Sequence, residues 1–140
     1  MLDSAKMDNF KGIKLEKLEI EKTRNTPFIL LDNQAGSFKF SGNSFPENSK
    51  SFYEPIFNWL NRYEKTPNSL LEVDFMLDYI NSSSAHMIFR IIKKLEEIAR
   101  QGSKITIRWH YYGDDDDMYE EGLGYSEKVN LPFEFYEYED

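Results

Sequence analysis

Two histidines, no cysteine and a run of four aspartates are the most conspicuous chemistry-bearing residues of a chain with 25 acidic and 17 basic side chains. Nucleophilic hydrolysis needs a nucleophile, a base and a group that orients the base. No Gly-x-Ser-x-Gly elbow stands in the sequence to present a serine. His86 falls in the first turns of an expected helix and reads as a polar boundary residue, while His110 alternates away from the apolar face of an expected strand. Neither belongs to a helical His-x-x-x-His pair of the kind that grips zinc. Asp114 to Asp117, with Glu120 and Glu121, offer oxygen ligands to a hard cation, but the EF-hand spacing is absent. Adjacent aspartates point in different directions on any regular backbone, so this run reads as a solvated loop. Gly122-Leu123-Gly124 lacks the third glycine and the preceding strand of a dinucleotide fingerprint. No metal and no cofactor are expected.

The cluster Asn81-Ser82-Ser83-Ser84 is different, because it combines hydroxyls with a strand end and a helix start. A helix N-terminus leaves backbone N–H groups free and carries partial positive charge, so a phosphate placed there is stabilised. Its added charge also changes any interface built on that spot. Plain capping accounts for the same residue types, since Asn and Ser are common N-caps. A second candidate is the turn-rich stretch Gly42-Asn43-Ser44-Phe45-Pro46-Glu47-Asn48. Read as the rim of a pocket, it would make a small-ligand-binding or enzymatic domain in which Glu47, Asp78 and His110 do acid–base work.

The elements that must position these residues follow from hydrophobic period. Leu18 and Ile20 alternate with Lys17, Glu19 and Glu21 over residues 15–23, a strand with one wet face. Phe28 to Leu31 and Phe38 with Phe40 flank the turn residues Asp32 to Gly36, a hairpin. Asn48 caps a helix carrying Phe52, Tyr53, Ile56, Phe57, Leu60 and Tyr63, with Pro55 either near its start, at Glu54, or at a kink. Leu71, Val73, Phe75, Leu77 and Tyr79 form the clearest strand pattern. A second helix then runs from the serine cluster to Gly102, with Met87, Ile88, Ile91, Ile92, Leu95 and Ile98 as its apolar stripe. Ile105, Ile107, Trp109 and Tyr111 make a further strand. An acidic loop from Gly113 follows, with a short helix around Met118 to Glu127, and Pro132 to Glu139 reads as a last aromatic strand or tail.

Strand, helix and strand from Leu71 to Tyr111 make a βαβ unit, whose crossover is right-handed if both strands share a sheet. The expected fold is a single α/β domain of two or three layers, a mixed sheet of about five to six strands packed with two main helices. It spans residues 13–140, with 1–12 as a poorly ordered N-terminal segment. At 140 residues, 40% hydrophobic, the chain is long enough for one stable core. A net charge of −8 repels nucleic acid and anionic membrane surfaces. No stretch approaches the ~20 apolar residues of a membrane span, so the chain reads as cytoplasmic. Phe133, Phe135, Tyr136 and Tyr138 also raise the prospect of an oligomer built through the C-terminal aromatics.

Several motifs then stand in a telling order. Thr26-Pro27, the Gly42 to Asn48 loop, Phe52-Tyr53 with Trp59-Leu60, Tyr79-Ile80-Asn81-Ser82-Ser83-Ser84, and Trp109-His110-Tyr111-Tyr112 before an acidic loop resemble the SiaC-type bacterial regulatory phosphoproteins, from about Leu18 to Phe133. Ser82 stands where that pattern has threonine, and Asn43 where it commonly has arginine. The resemblance implies a fold like the anti-sigma-factor antagonists and a non-catalytic switch. A cognate serine/threonine kinase would phosphorylate Ser82, and a PP2C-type phosphatase would remove the phosphate. The unphosphorylated form would bind and activate a diguanylate cyclase, raising cyclic di-GMP and favouring aggregation and biofilm. Asn81, Ser83 and Ser84, with Gly42, Ser44, Pro46, Glu47 and Asn48, are expected to shape the site or touch the partner.

Overall fold

The structure is a computed structural model, and it describes residues 14–138. The expected poorly ordered segment, 1–12, lies outside the described residues. Six strands, β1 (Leu18–Ile20), β2 (Phe28–Asp32), β3 (Ser37–Ser44), β4 (Leu70–Ile80), β5 (Lys104–Tyr112) and β6 (Phe133–Tyr138), alternate in their second half with α1 (Ser49–Tyr63), α2 (Ser82–Arg100) and α3 (Asp116–Lys128). They form one sheet in the order β1-β2-β3-β4-β5-β6. The first three strands pair antiparallel, and β3 through β6 pair parallel.

Parallel neighbours need a crossover, and each of α1, α2 and α3 supplies one. Three right-handed crossovers that step the same way across a sheet place all three helices on one face, which makes the domain two-layered. Strand alternation fills the space between the layers. Leu71, Val73, Phe75 and Leu77 of β4 and Ile105, Ile107 and Trp109 of β5 are buried, as are Ile88, Ile91, Ile92, Leu95 and Ile98 of α2. Under α1, the Phe38 ring meets Trp59 and Tyr63 edge-on, with centroids 5.4 and 5.2 Å apart. Each such side chain contributes about 1.5–3 kcal/mol through removal from water.

The expected mixed sheet is found, and the short helix expected around Met118 to Glu127 is α3, Asp116–Lys128. Two elements differ from expectation in their bounds. The strand expected over 15–23 shortens to Leu18–Ile20, the only part that finds ladder partners on β2. Of the two readings of Pro55, a start near Glu54 is excluded: Asn48 caps α1 as expected, and the helix begins at Ser49 and runs through Pro55. Proline there removes one helical hydrogen bond to the carbonyl of Ser51. Ser51 and Pro55 are both exposed, so water can serve that carbonyl.

The acidic run, expected as a solvated loop, instead leads from a turn at Asp114 into α3. Asp115 is its N-cap, accepting from the Met118 amide at 3.0 Å, and Asp116 and Asp117 occupy the first turn. Negative charge is favourable against the positive end of a helix, which is why aspartates crowd there. Gly122 has a packing reason: α3 lies on the Trp109 indole, and a Cβ at Gly122 would overlap that ring. The indole N–H also donates to the Met118 carbonyl at 2.9 Å.

Candidate functional site

At the C-terminal ends of β3 and β4 two helices start side by side. The ladder between these strands slips by one residue after Gly42, so that Gly42 faces Leu77 while Asn43 faces Tyr79. Gly42 has φ +103, a conformation that a side chain would strain. The slip leaves Phe45 and Tyr79 exposed at the sheet's end, with their rings edge-on at 5.7 Å. Beyond it the ladder closes through the Asn81 amide, which donates to the Ser44 carbonyl at 3.0 Å.

Asparagine caps both helices. Asn48 Oδ1 accepts from the Ser51 amide at 3.0 Å at the start of α1. Asn81 Oδ1 accepts from the Ser84 amide at 2.9 Å at the start of α2. Capping is therefore a real role of Asn81, but it accounts for one residue of the cluster only.

Two of the three serines are spent on holding the helix starts together. Ser84 is fully buried and its hydroxyl accepts from Ser44 Oγ at 2.7 Å; Ser44 Oγ also lies 2.7 Å from the Tyr53 hydroxyl. Ser83 Oγ lies 2.7 Å from Ser49 Oγ, which stands 3.5 Å from Ser84 Oγ. Burial pushes the Tyr53 phenol up to about 12, against opposing hydrogen bonds from Ser44 and Ser84. The chain of hydroxyls is thus neutral at any physiological pH, and it satisfies polar groups that burial would otherwise penalise. Ser82, the first residue of α2, is exposed, and its hydroxyl enters none of the hydrogen bonds among the described residues. Its hydroxyl stands at a helix start, where an anion is favoured.

A profile described as SiaC family regulatory phosphoprotein matches residues 20–138. The chain belongs to the SiaC family. A protein of Pseudomonas aeruginosa (strain UCBPP-PA14) is 33% identical over 119 residues, which are 85% of this chain and 94% of that protein. Solved structures agree with the sequences. Apo-SiaC from Pseudomonas aeruginosa superposes with a TM-score of 0.78 at 33% identity, covering 86% of this chain and 98% of that one. SiaC in its complex with the diguanylate cyclase SiaD, described there as the cyclase's activator, superposes with a TM-score of 0.81 at 32% identity, covering 86% and 99%.

The other residues singled out in the sequence fall into place around this SiaC-family frame. Pro46 is buried, Glu47 is exposed, and Asn48 is the cap of α1. The pocket expected from Gly42 to Asn48 is not formed by that stretch: a shallow depression there is lined by Gly42 and Asn43 with Lys22, Thr23, Arg24 and Asp78. Nor do Glu47, Asp78 and His110 come together. His110 Nε2 lies 2.7 Å from Asp74 Oδ1, on the sheet face away from the helices, where Arg108 also grips Asp74 at 2.9 and 3.0 Å. Phe133 and Phe135 pack against the core on the helix side, which leaves Tyr136 exposed and Tyr138 partly so. His86 is an exposed residue of α2. Among the described residues no group of three or more His, Asp or Glu side chains is gathered as a metal would require, and no helix is long and apolar enough to cross a membrane.

Sequence reasoning missed Ser49, Tyr53, Tyr125 and Glu121 as parts of the site's surroundings. Tyr53 shows in the sequence as one apolar position of α1 and in the Phe52-Tyr53 motif, neither of which points to the serine cluster. Tyr125 donates to the Ala85 carbonyl at 3.0 Å, a contact across 40 residues that no local pattern announces.

Proposed function

We propose that this protein is a phospho-gated switch whose unmodified form binds and activates a diguanylate cyclase, with Ser82 as the phosphoacceptor. The observation that carries the reading is the exposed hydroxyl of Ser82 at the start of α2, unbonded among the described residues and followed by two serines whose hydroxyls are already engaged. Support for the cyclase comes from the SiaC–SiaD complex, whose SiaC superposes on 86% of this chain. Phe45 and Tyr79, exposed beside the helix start, supply the apolar part of a docking surface. Docked there, the partner would cover Ser82, and a phosphate of roughly −1.5 to −2 charge would be trapped without water in the contact.

The family pattern also supplies the enzymes of the cycle: a cognate serine/threonine kinase and a PP2C-type phosphatase. Serine keeps the phosphate-accepting hydroxyl of the threonine it replaces. The protein itself performs no chemistry in this reading and needs no cofactor, and it works in the cytoplasm, where ATP and cyclase are both at hand.

The test is cyclic di-GMP synthesis by the diguanylate cyclase of the same organism with wild type, Ser82→Ala and Ser82→Asp added in turn. Wild type and Ser82→Ala should activate it equally, and Ser82→Asp should activate it less. Equal activation by both variants, or none by wild type, would refute the switch.

A further inference from the structure

The cations of this acidic chain are gathered on one part of the helical layer. Helices α1 and α2 carry twice as many basic as acidic side chains, while α3 carries one lysine against five carboxylates. Between α1 and α2 runs a groove of about 370 Å³, lined by Phe57 and Asn61 of α1 and by Arg90, Lys93, Lys94 and Glu97 of α2. Both lysines have partners: Lys94 Nζ lies 2.7 Å from a Glu64 oxygen and 3.8 Å from a Glu97 oxygen, and Lys93 Nζ lies 2.9 Å from Glu96. Arg90 is the exception, with no ion pair among the described residues and its guanidinium over the Phe57 ring, 4.6 Å from the centroid. Its Nη1 reaches the Met87 sulfur at 3.8 Å, a weak acceptor. Stacking on an aromatic face holds the planar fork in place and leaves N–H donors at its edge open to a carboxylate.

The groove opens on the same ridge as Ser82. Ser82, His86, Arg90, Lys93 and Glu97 recur at spacings of four and three along α2 and all are exposed, so they form one continuous outward stripe. Arg90 stands about 12 Å along the helix axis from Ser82. A partner footprint of about 800 Å² that covers Ser82 is large enough to reach the groove as well.

We propose that the groove between α1 and α2 docks an acidic segment of the diguanylate cyclase, with Arg90 as the anchor that takes its carboxylate. The inference rests on the switch at Ser82 and adds the chemistry of the partner. A partner that is acidic where it meets α2 is drawn to Arg90 and Lys93 although the chain as a whole has a net charge of −8. The same partner is turned away when Ser82 gains a phosphate, because the added negative charge lies on the stripe that it must cover. A basic partner would be drawn to that phosphate and would read the switch with the opposite sign.

Calorimetric titration of the cyclase of the same organism with wild type and charge variants, at low and at high salt, tests this. Arg90→Glu should weaken binding by about tenfold or more at low salt, and the loss should shrink as salt rises. Arg90→Gln removes the fork without adding a charge and should weaken binding by about threefold. Lys39→Glu reverses a charge at an exposed position of β3, on the sheet face away from the helices, and should alter binding by less than about twofold. Equal binding by wild type and Arg90→Glu, or an equal loss in Lys39→Glu, overturns the proposal and leaves the switch at Ser82 standing; a wild type without affinity for the cyclase overturns both. Light scattering of the chain alone and sedimentation with phosphatidylglycerol vesicles address the other occupants. A dimer, or vesicle binding, that Arg90→Glu abolishes would assign the groove to α3 of a second copy or to a membrane and overturn the proposal.

Discussion

Helices α1 and α2 open with nearly the same words, Asn48-Ser49-Lys50-Ser51 and Asn81-Ser82-Ser83-Ser84, and with the same cap, an asparagine oxygen on the third amide. Their first serines differ in everything that matters. Ser49 is 6% exposed and lies 2.7 Å from Ser83 Oγ, whereas Ser82 is exposed and unbonded among the described residues. The local motif makes a helix start in both cases. Tertiary packing alone decides that one serine is a staple and the other a handle, because α1 starts toward α2 while the first residue of α2 looks outward.

A carboxylate placed at each position breaks the comparison most sharply. Ser49→Asp buries a charge that has no counter-charge among its neighbours, and we expect thermal unfolding to show a loss of about 3 kcal/mol or more. Ser82→Asp should shift stability by less than about 1 kcal/mol, since the side chain is exposed and the helix end favours the charge. A comparable loss at both positions would mean that the two helix starts are packed alike.

The ionic cluster on the opposite sheet face gives a second contrast, with charged rather than neutral groups. Burial would by itself raise the Asp74 carboxyl, but hydrogen bonds from Arg108 and His110 outweigh it and hold the group below the ordinary carboxylate value. A depressed folded-state value contributes stability above the unfolded value near 4, and that stability is lost as pH falls through the folded one. Asp74→Asn should cost about 2–3 kcal/mol at neutral pH. Melting curves below about pH 4 should then show a shallower acid loss in the variant than in wild type. The serine network, holding no group that ionises there, should add nothing to that slope.

Smaller effects separate capping from signalling. Asn48→Ala and Asn81→Ala should each cost about 1 kcal/mol in denaturant unfolding, because each removes one cap on one amide. Ser82→Ala should change stability by no more than about 0.5 kcal/mol, as expected for an exposed side chain with no hydrogen bond among the described residues. A large loss there would return Ser82 to the role of a structural residue.

Much of this was legible in the sequence. Period-two alternation located β4 and β5, whose apolar residues meet the helical layer except Tyr79, exposed beyond the register slip, and the apolar stripe of α2 was complete from Met87 to Ile98. Helix α3 was legible only in part, since its glycines and aspartates are poor interior residues for a helix in isolation. Two tertiary facts explain them: Asp115 caps the helix, and Gly122 lets it approach the Trp109 indole. At the site, the Asn81 to Ser84 cluster stood out from its hydroxyls and its place between strand and helix. The division of labour within it did not, because Ser49 and Ser44 reach the cluster from 34 and 40 residues away along the chain, and Tyr53 joins only through Ser44.

The most direct measurement is phosphopeptide mapping of the protein purified from its native cells, alone and with Ser82→Ala. Phosphate on Ser82 in the wild type, absent from the variant and never on Ser49, Ser83 or Ser84, is the predicted result. Phosphate on any of those three serines, or an unmodified Ser82 in cells where the cyclase is silent, would contradict the account.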